Sequence, residues 1–303
     1  MKLSFLFLMT WGFHFLAGSL LADDTVVPYS QQKDVVYGEV HGTGLLMDVF
    51  APKGKTNGLA IVDVTSGAWY SDRAKIRDHT LAQIYQIHCA RGYTVFAVRP
   101  GSKTRYTLLE MDANVKTGIR FIKEHAADYG IDPNRLGLTG ASAGGHLALL
   151  SSLTPQPGKE SSKKAGGRFS TDVKAVGVFF PPTDLIDWEP DKKADSDLVQ
   201  SLLCLPGVVG QTPADVEKLA RQCSPLHRVS KTAVPFLLIH GNADLVVPLY
   251  HSQSFVDAMR KLDNSVELIV KVGGGHAWLT LPEEVKVLAD WFDKQLLPQK
   301  SGL

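Results

Sequence analysis

A serine in a tight, glycine-flanked turn, followed far along the chain by an aspartate and then a histidine, gives this sequence the parts for acyl transfer. Gly140-Ala141-Ser142-Ala143-Gly144 has the form Gly-x-Ser-x-Gly. A serine hydroxyl is a poor nucleophile at neutral pH, so it needs a base, and the base needs a partner that orients it. Asp244 closes the stretch His240-Gly241-Asn242-Ala243-Asp244, and His276 ends Gly273-Gly274-Gly275-His276. The order Ser, Asp, His is the one found where a strand-to-helix turn presents the serine above a parallel sheet. Ser142 is therefore the expected nucleophile, His276 the base and Asp244 the residue that holds the imidazole.

The chain has ten histidines, so His276 has rivals. His240 falls at a strand end and suits a buried, hydrogen-bonded role. His146 lies one helical turn past Ser142, where it would pack beneath the turn. His79, His88 and His125 fall on expected helices, facing solvent or a polar contact. His227 and His251, in or beside loops, are the main competitors. Only His276 combines a Gly-rich loop with the required order. Asp244 also suits a turn-capping role, and Asp184 and Asp187 are substitutes that precede the fifth strand. A tetrahedral oxyanion needs preorganised donors. The Ala143 N–H, next after the nucleophile, is one. The other is expected from Gly67 or Ala68 in the loop Thr65-Ser66-Gly67-Ala68-Trp69. Trp69, Tyr70, Trp188 and Trp278 are expected to line the cleft, although each one singly suits core or lid packing equally well.

The elements that would position these residues alternate. A hairpin is expected over 35–50, turning at His41-Gly42-Thr43-Gly44. Strands are expected over 59–64, 93–98, 135–139, 173–180, 234–239 and 266–272, where mostly apolar runs suit burial on both faces. Helical patterns cover 74–91, 109–129, 143–150, 213–222, 249–262 and 282–296. The stretch 155–172 is polar and rich in Gly, Ser and Lys, and reads as a mobile surface loop. Residues 181–233 resist the alternation and read as a small lid-like insertion over the strand ends, where open α/β sheets bind ligands. The expected class is α/β, a mainly parallel sheet with helices on both faces and antiparallel strands added at one edge by the hairpin.

Residues 1–22 place Lys2 before an apolar stretch, then small residues and Ala22 before Asp23-Asp24. That is the layout of a cleaved secretory signal, with a single hydrolase-type domain expected over 23–303 and a secreted or periplasmic location. No stable membrane anchor is expected after cleavage. Losing Lys2 turns 32 basic against 31 acidic residues into a formally neutral chain. Neither balance suits nucleic acid or an anionic membrane. With 44% hydrophobic and 21% charged residues, the 303-residue chain reads as an ordinary globular protein. Its three cysteines show no metal-ligand spacing, and neither a metal nor an organic cofactor is expected. An oxidising compartment would allow Cys204 and Cys223 to pair, with Cys89 left as a buried thiol.

These residues together resemble the α/β-hydrolase superfamily, in the secreted esterase and lipase branch of bacterial feruloyl and acetyl-xylan esterases (BD-FAE-like) and hormone-sensitive-lipase-like enzymes. The likeness rests on Gly140–His146, Tyr129–Arg135, Pro182-Thr183-Asp184-Leu185, Pro235–Pro248 and Gly273–His276, and covers most of 35–296. It implies an esterase fold and a serine ester hydrolase acting on a small-molecule or carbohydrate ester. One departure is plain. The family's oxyanion loop reads His-Gly-Gly-Gly-Trp, whereas here only Gly67 and Trp69 match. The Ala68 methyl would narrow the acyl site and favour short acyl groups such as acetyl. Two other readings share the motifs. A prolyl-oligopeptidase-type peptidase has a similar serine turn, and a hydrolase fold with a degenerate site would serve binding alone.

Overall fold

The computed structural model describes residues 27–163, 166–204 and 212–298. The expected export segment 1–22 lies outside them. The described chain begins with β1 (Tyr29–Val40) and β2 (Thr43–Pro52), an antiparallel hairpin turning at His41 and Gly42. β2 pairs antiparallel with β4 (Thr94–Val98). From there each neighbouring pair is parallel: β4 with β3 (Ala60–Val64), then β5 (Leu136–Ala141), β6 (Ala175–Phe179), β9 (Phe236–Gly241) and β10 (Val266–Lys271). Among the described residues this makes one eight-stranded sheet, ordered β1-β2-β4-β3-β5-β6-β9-β10. The α/β class and its antiparallel edge are as the alternation implies.

Alternate residues of the central strands feed two separate cores, one on each face. On β3, Ala60, Val62 and Val64 join one cluster while Ile61 joins the other. On β4, Phe96 and Val98 go one way, Val95 and Ala97 the other. This is why these strands carry almost no polar side chains: neither face meets water. The first face is covered by α3 (Leu108–Glu124), α4 (Ala143–Leu153), α5 (Ser196–Leu203), α6 (Pro213–Cys223) and α7 (Tyr250–Arg260). The second is covered by α1 (Arg73–Leu81), α2 (Ile84–Ala90) and α8 (Leu281–Leu296). Two of these helices start on capping boxes. Thr107 and Glu110 open α3, and Thr212 and Asp215 open α6, each pair satisfying N–H groups that the first turn leaves free.

Several boundaries differ from the expectation. The helix expected over 74–91 is two helices, because Gln83 takes a left-handed conformation at φ 61°. The break lets Ile76 on α1 and Ile84 and Ile87 on α2 all reach the second core. The helix expected to run to 129 ends at Glu124, and the chain then turns through Gly130 at φ 61°. The loop at 155–172 forms no regular element where it is described, but it is anchored. Arg120 donates to the Phe169 carbonyl at 3.1 Å and to Gln156 Oε1 at 3.0 Å. The 181–233 region holds a small hairpin, β7 (Asp187–Glu189) with β8 (Lys192–Lys193), then α5, α6 and a 3₁₀ turn at Pro225–Arg228. No disulfide joins Cys204 to Cys223, and Cys223 is a buried thiol, as is Cys89.

Candidate active site

Ser142 sits between β5 and α4 with φ 54° and ψ −122°, a backbone conformation costly for any residue with a side chain. What makes it tenable is the closeness of the surrounding chain. A Cβ on Gly144 would lie 2.1 Å from the Val64 carbonyl oxygen, and one on Gly140 would lie 2.5 Å from Gly144. Only hydrogen fits at either position, so the Gly-x-Ser-x-Gly spacing is a packing requirement. The Ser142 N–H donates to the Phe179 carbonyl at 2.9 Å and the Gly144 N–H to the Ser66 carbonyl at 3.1 Å. The turn is thereby stitched to β6 on one side and to the loop after β3 on the other.

Asp244 follows β9 and His276 follows β10, so both arrive at the carboxyl end of the sheet beside Ser142. The two loops are bonded together. The Ala243 N–H donates to the Gly274 carbonyl at 2.8 Å, and the Gly273 N–H to Asn242 Oδ1 at 2.7 Å. His276 Nε2 stands 2.9 Å from Ser142 Oγ, and His276 Nδ1 stands 2.8 Å from Asp244 Oδ2. A carboxylate only accepts, so Nδ1 carries the proton and Nε2 is left bare to accept from the serine hydroxyl. Burial alone would raise the Asp244 carboxyl. Hydrogen bonds from His240 and His276, the nearby His276 and the Val247 N–H outweigh it and hold the group well below the usual carboxylate range. The Phe180 ring packs against the His276 ring with centroids 4.7 Å apart. Sequence reasoning missed Phe180, whose only signal was its place at the end of an expected buried strand.

The loop after β3 departs from the expectation in one respect. The Gly67 N–H donates to the Tyr70 carbonyl at 3.0 Å, and the Tyr70 N–H returns to Gly67 O at 2.9 Å. That amide is taken up inside the loop and is not available to a ligand. Ala68, exposed, sits at φ 48° and Trp69 at φ 59°. Ala68 therefore adopts the left-handed conformation a glycine takes freely, at a cost of roughly 1–2 kcal/mol for such a residue. Among the described residues the Ala68 and Ala143 amides have no hydrogen-bond partner within the chain. The latter, first in α4, has no carbonyl within the helix to meet.

The aromatic residues divide. Trp69 is buried (5% exposed), and its indole N–H donates to His146 Nδ1 at 3.2 Å, so it is part of the scaffold rather than the cleft wall. Tyr70 is exposed with the Lys103 ammonium 5.4 Å from its ring centre. Trp278 is partly buried against Phe180 and donates to Glu284 Oε2 at 2.7 Å. Trp188 lies edge-on to His251, 4.6 Å between centroids.

Among the described residues no rival histidine has a ring hydrogen bond to the Ser142 hydroxyl. His240 is fully buried between Ser252 Oγ at 2.7 Å and the Val247 carbonyl at 2.8 Å, and lies 3.4 Å from Asp244. His251 accepts from the Thr183 and Asp184 N–H groups, and His227 meets Asp184 at 3.2 Å. His125 is on the surface beside Asp128. His79 and His88 take the polar contact rather than the solvent, in the interior: His79 on the Asp63 carboxylate at 2.7 Å, His88 on the Ile84 carbonyl at 2.8 Å. Among the described residues no cluster of three or more His, Cys, Asp or Glu side chains could hold a metal ion, and no helix is long and apolar enough to cross a membrane.

A sheet of this order, with a strained serine on the β5–α4 turn and a histidine and aspartate on the two following strand ends, defines the α/β-hydrolase class. Within that class residues 47–259 match the family model described as BD-FAE, and the chain belongs to that family. It is similar to the esterase LipC of Mycobacterium tuberculosis, 28% identical over 82% of this chain and 60% of the relative. It is also similar to a probable carboxylic ester hydrolase of that organism, LipM, 30% identical over 77% of this chain and 53% of the relative. The chain thus spans little more than half the length of these curated relatives. Among solved structures, a truncated carbohydrate esterase from gut microbiota superposes with TM-score 0.78 at 24% identity, covering 90% of this chain and 99% of that one.

Proposed function

We propose that this chain is a secreted serine carboxylic-ester hydrolase that acts on short-acyl or carbohydrate-linked esters through an acyl-enzyme. The observation that carries the reading is the continuous relay Ser142–His276–Asp244, with contacts of 2.9 and 2.8 Å. His276 Nε2 takes the hydroxyl proton as Ser142 Oγ attacks the ester carbonyl carbon. Asp244 holds the tautomer and stabilises the imidazolium that forms. The Ala68 and Ala143 amides meet the oxyanion. The tetrahedral adduct collapses, the carbon–oxygen bond to the alcohol breaks, and His276 gives its proton to the departing alcohol. Water then attacks the acyl-enzyme, His276 takes a proton from it, and the acid leaves as Ser142 regains its hydrogen.

Short acyl groups are favoured by the Ala68 methyl in place of a family glycine. The fold likeness to a carbohydrate esterase, and to a Thermogutta terrifontis esterase solved with propionate (TM-score 0.67, 22% identity, over 90% of this chain and 97% of that one), fits the same choice. Export rests on the pattern of residues 1–22. Ser142→Ala is expected to lower p-nitrophenyl acetate hydrolysis by at least about 10⁴-fold. An unchanged rate would sink the assignment. A series of acetyl, feruloyl and longer acyl esters, free and carbohydrate-linked, tests the substrate class. Fastest turnover of long acyl chains would overturn the short-acyl part.

A further inference from the structure

The loop that carries Ala68 is held in a conformation its sequence would not choose, with two consecutive non-glycine residues, Ala68 and Trp69, at positive φ. Such a turn persists only where its surroundings over-determine it. Three sets of contacts do so. Gly67 and Tyr70 exchange hydrogen bonds across the turn, and the Lys103 N–H donates to the Trp69 carbonyl at 2.9 Å. The third is the Trp69 indole N–H, which reaches His146 Nδ1 at 3.2 Å. Trp69 and His146 are both buried, so an indole N–H without that acceptor would be left unpaired in the interior.

His146 suits the task in two ways. Its other ring nitrogen, Nε2, donates to the Cys223 carbonyl at 2.8 Å, which puts the proton on Nε2 and leaves Nδ1 as a bare acceptor facing the indole. The residue also lies on α4, three positions after Ala143, and its own N–H donates to the Ser142 carbonyl at 2.9 Å. One side chain thus links the loop that frees the Ala68 amide, the helix that begins with the Ala143 amide, and the end of α6.

We propose that His146 is a positioning residue for the oxyanion donors, acting through the Trp69 indole to hold the left-handed turn that leaves the Ala68 amide free. It deepens, and rests on, the reading of Ser142 as the nucleophile of an acyl transfer. The contribution belongs to the transition state, because a carbonyl in the ground state makes weaker demands on the donors than the oxyanion does.

The test separates the two nitrogens of the ring. Trp69→Phe keeps an aromatic ring at the position and removes the indole N–H. His146→Gln places a donor where Nε2 stands and loses the acceptor for Trp69. His146→Asn keeps an acceptor at the Nδ1 position and loses the bond to Cys223. With p-nitrophenyl acetate, Trp69→Phe and His146→Gln are each expected to lower kcat about tenfold with KM within about twofold of the parent. Inhibition by a short-chain trifluoromethyl ketone, which forms an oxyanion on Ser142, is expected to weaken by a similar factor. The Trp69→Phe/His146→Gln pair should be no worse than either change alone. His146→Asn should restore most of the lost kcat. Full kcat and full ketone affinity in Trp69→Phe would overturn the proposal. So would equal losses in His146→Asn and His146→Gln, since that pattern marks core packing alone. If His146→Gln does not fold, as read by its thermal melt, Trp69→Phe decides by itself. Activity surviving in Ser142→Ala would instead refute the acyl-transfer reading, a result independent of either scaffold residue.

Discussion

Four N–H groups converge on the Asp244 carboxylate: His276 Nδ1 and, at 3.4 Å, His240 Nε2 on Oδ2, with the Val246 and Val247 amides at 2.8 and 2.9 Å on Oδ1. Donors on every side keep the group ionised, which is what a partner to an imidazolium must be. Asp244→Asn would put an amide where only an acceptor serves. His276 would be held with Nε2 protonated and unable to act as base. The expected result is a fall in kcat of roughly 10³–10⁴-fold in steady-state ester hydrolysis, with the fold intact. A loss below tenfold would show that Asp244 does not set the tautomer. His240 offers no relief, since its ring nitrogens are already held by Ser252 and by Val247 together with Asp244 itself. At this scale Ser142, Asp244 and His276 were legible because each sits in a short local signature at a strand end. Phe180, and the capture of the Gly67 amide by Tyr70, were not, since neither leaves a mark in its own neighbourhood of sequence.

Among the elements, the β5–α4 junction is the least tolerant of change. A methyl on Gly144 would meet the Val64 carbonyl at 2.1 Å, a backbone atom of a central strand that cannot swing aside. Gly144→Ala is expected to cost on the order of 3 kcal/mol or more in urea unfolding, the upper range for overpacking, and to abolish ester hydrolysis in whatever folds. A native midpoint would show that the junction has slack. The central strands β3, β4, β5, β6 and β9 were readable to within a residue or two because their runs are apolar on both faces, whereas β1, expected from 35, begins at Tyr29, where its largely exposed residues leave no apolar run. The break between α1 and α2 was not. The residues around Gln83 keep a helical pattern, and only the need to bring Ile76 and Ile84 onto the same core forces the left-handed turn.

Across the molecule, several buried histidines couple stability to pH. Burial pushes His146 down to about 4, and burial with the neighbouring His240 and His146 pushes His251 down to about 3. His88 is lowered too, again by burial. Because free histidine titrates near ~6.5, the unfolded chain takes up protons between about pH 6.5 and 4 that the folded chain refuses. Stability from these rings is therefore present above that window and lost as pH falls through it. His79 runs the opposite way. Burial disfavours its charge, but the Asp63 carboxylate prevails and holds its pKa above the usual value, so its contribution is present in acid and lost as pH rises. The depressed rings outnumber it. Unfolding free energy from urea titrations is expected to be lower at pH 4.5 than at pH 7 by on the order of 3 kcal/mol. Equal stability at the two pH values would show that these rings accept protons without unfolding.

The amino-acid sequence by itself determined the fold class, the strand-to-helix turn that presents Ser142, and the order in which Asp244 and His276 follow it. Those features are written in local pattern: apolar runs, glycine spacing and loop residues at strand ends. Which loop amides are paired within the chain, which aromatic side chains are buried, and what each buried histidine bonds to was decided by tertiary structure. Each depends on contacts between distant segments, such as Trp69 to His146 and His146 to Cys223, each spanning 77 positions. A hydrogen bond across that distance exists only once the helices of the first face have packed onto the sheet, and nothing in either segment alone foretells its partner.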